Sequence, residues 1–228
     1  MGVTLPISRI EWRPSWRIIP SRFPPISLFE RVTEPDDLEA IFELEAMTNP
    51  RLRDEVGDIS MVPPDDRVSG PGTSIIMAAF THLNPEGSRF TDGTFGVFYA
   101  AADLETAVAE TKYHRERFMR ATEQEHMELD MRVYLVDLDG DLHDLRGQQE
   151  AYPLVYHETN YAAAQYLARD LRQSGSDGIA YDSVRREGGE CAAVFRPPLL
   201  ANPIQGQHLC YVWDGEAISN VYEKREFR

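Results

Sequence analysis

Cysteine is almost missing from this chain: Cys191 and Cys210 are the only two in 228 residues. Both sit in apolar stretches that read as strands, so free buried thiols are expected rather than a disulfide, and a reducing cytoplasm is the expected setting. Long hydrophobic runs are absent too. No stretch approaches the roughly 20 apolar residues of a membrane span. The opening MGVTLPISRIEWRPSWRIIP is broken by prolines and arginines where a secretory signal would run unbroken. A soluble internal protein without membrane contact is expected. Basic charge is scarce, with 23 Lys and Arg against 38 Asp and Glu and a net charge of −15. Proteins that grip DNA or RNA neutralise phosphates with a basic face. The densest basic cluster here, Arg115, Arg117 and Arg120, is interleaved with or followed by Glu116, Glu123 and Glu125 and reads as a solvated helix face. Direct nucleic-acid binding is therefore disfavoured. A small-molecule enzyme, or an acidic partner for a basic protein, fits better.

Several signatures are also lacking. There is no GxGxxG after a strand, no GxxxxGK[ST], no HExxH and no close Cys/His pair; the histidines (82, 114, 126, 143, 157, 208) are scattered singly. Nicotinamide dehydrogenases of the dinucleotide-fold type, P-loop enzymes and zinc hydrolases thus lose their support, and no metal site is expected.

What is present reads as one α+β domain with a mixed, largely antiparallel sheet. Residues 1–25, rich in proline, are expected to form an irregular arm, and residues 26–228 the catalytic domain. A strand is predicted over 26–33, then a helix over 35–47 opened by Pro35. The stretch 56–72, VGDISMVPPDDRVSGPG, reads as a long loop or lid. Thr73 or Ser74 caps a short helix through Thr81. Residues 94–100 form a strand. Asp103 then caps a helix with Leu104, Ala107, Thr111, His114 and Phe118 along one stripe, and Glu110 falls at its margin, where a carboxylate can reach over the end of a sheet. A strand is expected at 132–137. A helix capped by Asn160 and ended by Gly175 comes next, with Ala163, Tyr166, Leu167 and Leu171 as its apolar side. Strands at 178–184 and 190–195 flank RREGGE, and 207–212 with 216–222 make a final hairpin around Asp214-Gly215.

Three separated segments carry a likeness. Gly87-Ser88-Arg89-Phe90, Gly96-Val97-Phe98-Tyr99-Ala100-Ala101 and Thr106-Ala107-Val108-Ala109-Glu110 closely resemble the central block of the RES domain family. Gly178-Ile179-Ala180-Tyr181-Asp182-Ser183-Val184-Arg185, with Cys191 and the VFRP strand end after it, resembles its second block. Upstream, Phe29-Glu30-Arg31-Val32 takes the place of the family's first-strand arginine. The resemblance spans roughly residues 26–198. It implies a fold like that of ADP-ribosyltransferase toxins, NAD as substrate with no other cofactor, and pairing with an Xre-type antitoxin. Members are described as NAD-degrading or ADP-ribosylating toxins. Carried over by position, Arg31, Glu110 and Ser183 become the catalytic candidates, with Arg89 and Tyr99 binding NAD.

The chemistry accounts for these residue types. Nicotinamide, already cationic while bound to the ribose, is a good leaving group, and positive charge gathers on the ribose as it departs, as in glycoside cleavage. A carboxylate such as Glu110 stabilises that cation and can hold the ribose hydroxyls. Planar guanidiniums at Arg31 and Arg89 suit the pyrophosphate, and either could take an incoming inorganic phosphate. Tyr99 offers an aromatic face. Ser183 supplies a hydroxyl to the ribose or amide and is not expected to be a nucleophile, since no histidine stands in a recognisable relation to it. Each residue has an ordinary alternative. The arginines could be salt-bridge partners, Tyr99 core, Glu110 a solvated helix residue, Ser183 a turn hydroxyl, and His114 a satisfied core histidine. Phosphorolysis and hydrolysis of NAD both remain open, as does ADP-ribosyl transfer to a protein. A catalytically silent antitoxin-binding module is the alternative from another class.

Overall fold

The computed structural model describes residues 5–21 and 57–225. Arg31, the strand expected at 26–33 and the helix expected at 35–47 lie outside the described residues.

Among the described residues, seven strands and three α-helices make a single α+β unit. In chain order these are β1 (Ile7–Pro20), α1 (Ser74–Thr81), β2 (Phe98–Ala101), α2 (Leu104–Ala121), β3 (Met127–Asp144), α3 (Ala162–Gln173), β4 (Gly178–Asp182), β5 (Glu190–Val194), β6 (Leu200–Trp213) and β7 (Ile218–Lys224). The spine is β3, whose long alternation of apolar and polar residues suits a pleated strand with one face buried. One edge of β3 pairs antiparallel with β1, from Ile7 opposite His143 to Pro20 opposite Met131. The other edge pairs antiparallel with β6 and then, at His143 and Asp144, parallel with β4. Antiparallel β4–β5 and β5–β2 pairings continue the sheet, and β1 meets β2 where Trp16 faces Ala101. The sheet therefore closes on itself through β1.

This corrects the expectation of an irregular N-terminal arm. Proline there breaks the sheet pattern only locally, between Trp12 and Ser15, because a strand can skip a ladder bond at a bulge and resume. Ile10 and Ile18 are buried, so β1 belongs to the core and not to its wrapping.

Alternation divides the core into two clusters. Phe98, Ala100, Ala180, Ala192, Val194, Val136 and Leu138 face one; Tyr99, Ala101, Ile179, Tyr181, Cys191, Ala193 and Val133 face the other. The loop expected at 56–72 contains, in its described part, two 3-10 turns, Ile59–Met61 and Pro64–Asp66, whose Ile59 and Val62 pack into the first cluster. No helix among the described residues is long and apolar enough to cross a membrane.

Two helix faces differ from expectation. On α2 the buried residues are Thr106, Ala107 and Met119, while Phe118 is 41% exposed and His114 is exposed. His114 is thus no core histidine. On α3 the buried residues are Ala164, Leu167, Ala168 and Leu171, and Tyr166 is 71% exposed. In both, alanines share the buried face with one or two larger apolar residues, Met119 on α2 and Leu167 and Leu171 on α3.

Candidate functional site

The ends of β2 and β4 lie level with each other on either side of β5, because both strands pair with it: Ala101 and Tyr181 each face Cys191. The chain leaving β2 and the chain leaving β4 therefore emerge at the same end of the sheet. After β2 comes α2, and after β4 comes the 183–189 loop. Sequence separation vanishes here, and residues 73 apart meet: Ser183 Oγ donates to Glu110 Oε1 at 2.6 Å.

The helix is set by its cap. Asp103 Oδ1 accepts the Thr106 N–H at 2.8 Å, as expected of a helix-opening aspartate, and Thr106 Oγ1 donates to the other carboxylate oxygen at 3.0 Å. Glu110 projects from the second turn beyond that cap. The loop is clasped to the same helix start. Arg186 donates to Asp103 at 3.2 Å and to Thr106 Oγ1 at 3.0 Å. Gly189 packs so closely on Thr106 that a Cβ would sit 2.6 Å from its Oγ1. Within the loop, Ser183 Oγ accepts the N–H of Arg185 at 3.0 Å and of Arg186 at 3.1 Å. Its lone pairs serve the loop and its proton serves Glu110.

Arg89 and Tyr99 belong to the neighbouring segment. The Tyr99 hydroxyl shares a 2.7 Å hydrogen bond with Ser88 Oγ and accepts the Phe90 N–H at 2.8 Å, so it holds the turn that carries Arg89. Burial pushes this phenol up to about 12, which keeps it neutral. Phe90 packs edge-on against Tyr181, with ring centroids 4.8 Å apart. Arg89 is buried and has no ion-pair partner among the described residues; its Nη1 donates to the Val155 and His157 carbonyls at 2.9 and 3.0 Å, and its guanidinium lies 4.7 Å over the Tyr161 ring. The positive charge of Arg89 reaches the buried Tyr181 and Cys191, whose hydroxyl and thiol are nevertheless pushed well up, chiefly by burial. Glu110 adds to the rise at both. These contacts bring Glu110, Ser183, Arg89 and Tyr99 into one neighbourhood, while Arg31 lies outside the described residues.

Three participants escaped sequence reading. Arg17 of β1 donates to the Tyr99 carbonyl at 2.9 Å and lies 4.5 Å over the Phe98 ring; burial lowers its guanidinium to about 10, still charged at neutral pH. Arg186 clasps the loop to α2. Arg185 stacks on Tyr113, its Cζ 3.4 Å from the ring centroid. Only the basic pair after Ser183 hinted at the last two; Arg17 carried no signal, because its partners lie on strands far away in sequence. Two hollows elsewhere on the surface, of about 280 and 350 Å³, contain none of the candidate residues. The candidate residues sit in the side-chain cluster instead.

Comparison with known proteins matches the stretch of sequence that carries Arg89, Tyr99, Glu110 and Ser183. The RES domain model matches residues 65–214. The chain is 35% identical over 207 residues to "Uncharacterized protein y4oC" of Sinorhizobium fredii (strain NBRC 101917 / NGR234), covering 91% of this chain and 86% of that one. Among solved structures, the M. tuberculosis MbcT-MbcA toxin-antitoxin complex aligns with a TM-score of 0.40 and 15% identity, covering 54% of this chain and 73% of that one.

Proposed function

This chain belongs to the RES domain family, and from that premise we propose that it cleaves the nicotinamide–ribose bond of NAD as the toxin of a toxin–antitoxin pair. The observation that carries this reading is the 2.6 Å hydrogen bond from Ser183 to Glu110. It presents one oriented carboxylate where the 183–189 loop meets α2.

In this reading Glu110 faces the ribose and stabilises the positive charge that develops as nicotinamide leaves. Nicotinamide departs neutral with the bonding electron pair, so no acid is needed. Ser183 fixes the carboxylate's direction, and so removes reorganisation from the reacting step. Arg89 offers its remaining N–H groups to the pyrophosphate, and a guanidinium with no carboxylate partner among the described residues suits a phosphate. Tyr99 acts on NAD indirectly, through the turn that carries Arg89, and presents part of its ring. Arg31 takes the family's first-strand arginine position as a further catalytic residue. The acceptor of ADP-ribose is phosphate, water or a protein. An Xre-type antitoxin contains the activity and brings the DNA binding that a chain of net charge −15 lacks.

The test is mass analysis of NAD products made by purified protein, freed of any inhibitor, with and without phosphate. Nicotinamide release is expected, falling by about 10²–10³-fold in Glu110→Gln, the usual effect of losing one charge-stabilising group. Intact NAD with phosphate present would sink the reading. Product mass separates phosphorolysis from hydrolysis, and label from NAD appearing on lysate proteins would indicate ADP-ribosyl transfer. Growth inhibition retained by Glu110→Gln would favour a silent binding module instead. The antitoxin pairing fails if the neighbouring gene product neither binds this chain nor blocks its activity.

A further inference from the structure

We propose that Arg185 is a phosphate-binding residue of this cluster, forming with Arg89 a two-arginine clamp for a phosphate group beside the Glu110–Ser183 pair. The identity of the ligand rests on the NAD-cleaving reading, while the clamp itself is drawn from the contacts of Arg185.

Arg185 is tied to the site from two directions. Along the loop it lies two residues past Ser183, whose hydroxyl accepts its N–H and donates to Glu110. Across space it lies on the ring of Tyr113, which stands three residues beyond Glu110 on α2 and so near it on the helix surface. Both arginines also grip one turn: Arg89 donates to the carbonyls of Val155 and His157, and Arg185 to the carbonyl of Glu158. Each guanidinium covers a tyrosine ring, Arg89 on Tyr161 and Arg185 on Tyr113. Stacking occupies the flat faces and leaves the N–H edges to meet an acceptor.

The edge of Arg185 is short of acceptors. Its side chain is only 9% exposed, and its enclosed Nε has no hydrogen-bond partner among the described residues. The nearest carboxylate among the described residues, Glu158, stands 4.0 Å from Nη1 with a side chain 76% exposed, so water screens most of its charge. Arg17 of β1 shares this unpartnered Nε, whereas two other arginines are placed differently. Arg186 is spent on Asp103 and Thr106, and Arg146 on Asp144 and Glu190. A buried guanidinium with an unused donor is costly to keep, and a phosphate oxygen brought within reach of it would relieve that cost. Two sources supply the same chemistry: the diphosphate of NAD, or inorganic phosphate arriving as acceptor.

The test compares wild type with Arg185→Gln and Arg185→Lys. Calorimetry with ADP-ribose, inorganic phosphate and adenosine reads binding without turnover, and nicotinamide release reads KM for NAD and the response to phosphate. If the clamp holds the NAD diphosphate, Arg185→Gln weakens ADP-ribose at least tenfold, raises KM similarly and leaves adenosine unchanged. If it holds the acceptor, ADP-ribose binding survives while phosphate binding and phosphate stimulation are lost at least tenfold. The lysine variant keeps the charge without the planar fork and is expected to lose at least threefold in the affected arm; it decides the matter if the glutamine variant does not fold. Wild-type affinities in both arms for the variant that folds would overturn the proposal, as would a wild-type protein that binds neither ADP-ribose nor phosphate. Binding that depends on Arg185 in a protein that leaves NAD intact would uphold the clamp and sink the catalytic reading alone.

Discussion

Among individual residues, His114 senses the charge of the site. One helical turn beyond Glu110, its ring stands edge-on to Tyr113 and is partly open to water. Enclosure by protein, then the positive charges of Arg185, Arg89, Arg115 and Arg117, push it down to about 4. Because the residue is exposed, water relieves part of both effects. Proton linkage gives the sign. The unfolded chain takes up a proton here as pH falls below about 6.5, and the folded chain only near 4. Stability contributed by this residue is therefore intact above about 6.5 and is lost on descending toward 4. Thermal melts at pH 5 and 7 should differ less in His114→Gln than in wild type, and NMR should find the wild-type imidazole neutral at pH 7. An imidazole titrating near its ordinary value would mean the arginines lie farther away.

Among the elements, the decisive contact is that of the 183–189 loop with the start of α2. Gly189 has no side chain where Thr106 stands, and a Cβ there would come within 2.8 Å of Thr106 Cγ2 as well as 2.6 Å of Oγ1. Thr106 is fully buried and bonded to Asp103 and Arg186, so it cannot step aside. Gly189→Ala should push the loop away, separate Ser183 from Glu110, and cost about 1–3 kcal/mol of stability, the usual range for overpacking. Urea unfolding measures the second effect and nicotinamide release the first. Unchanged release would show that the loop does not position the carboxylate. Element placement is largely legible in the sequence. The Asp103 cap, the α1 limit at Thr81, the β4–β5 pair and the closing hairpin come from local turn and capping chemistry. Strand lengths are not: the expected 94–100 strand occupies only Phe98–Ala101, and the expected 132–137 strand runs Met127–Asp144. Where a strand stops depends on how long its neighbours stay beside it.

For the molecule as a whole, closure through β1 has a direct consequence. β1 covers one edge of β3 along nearly its full length and meets β2 at Trp16. Deleting residues 1–20 would uncover that edge together with the apolar surface buried by Ile10 and Ile18, a combination that invites aggregation. The truncated chain is expected to be insoluble or to lose its cooperative unfolding transition, whereas an irregular arm could be trimmed without such loss. Soluble yield and a urea titration check this.

Local sequence was enough for the α+β class, the helix boundaries set by Asp103 and Gly175, the likeness to the RES family, and the candidates Glu110, Ser183, Arg89 and Tyr99. These are properties of short segments, in which a cap, a turn or a motif is written within a few residues. Three-dimensional packing alone established that Ser183 reaches Glu110, that Tyr99 holds the turn bearing Arg89, that Arg185 lies on Tyr113, and that β1 closes the sheet. Those contacts join residues well separated along the chain, and strand order and packing bring them together. Pairing preferences between distant strands leave no mark in the spacing of a single chain.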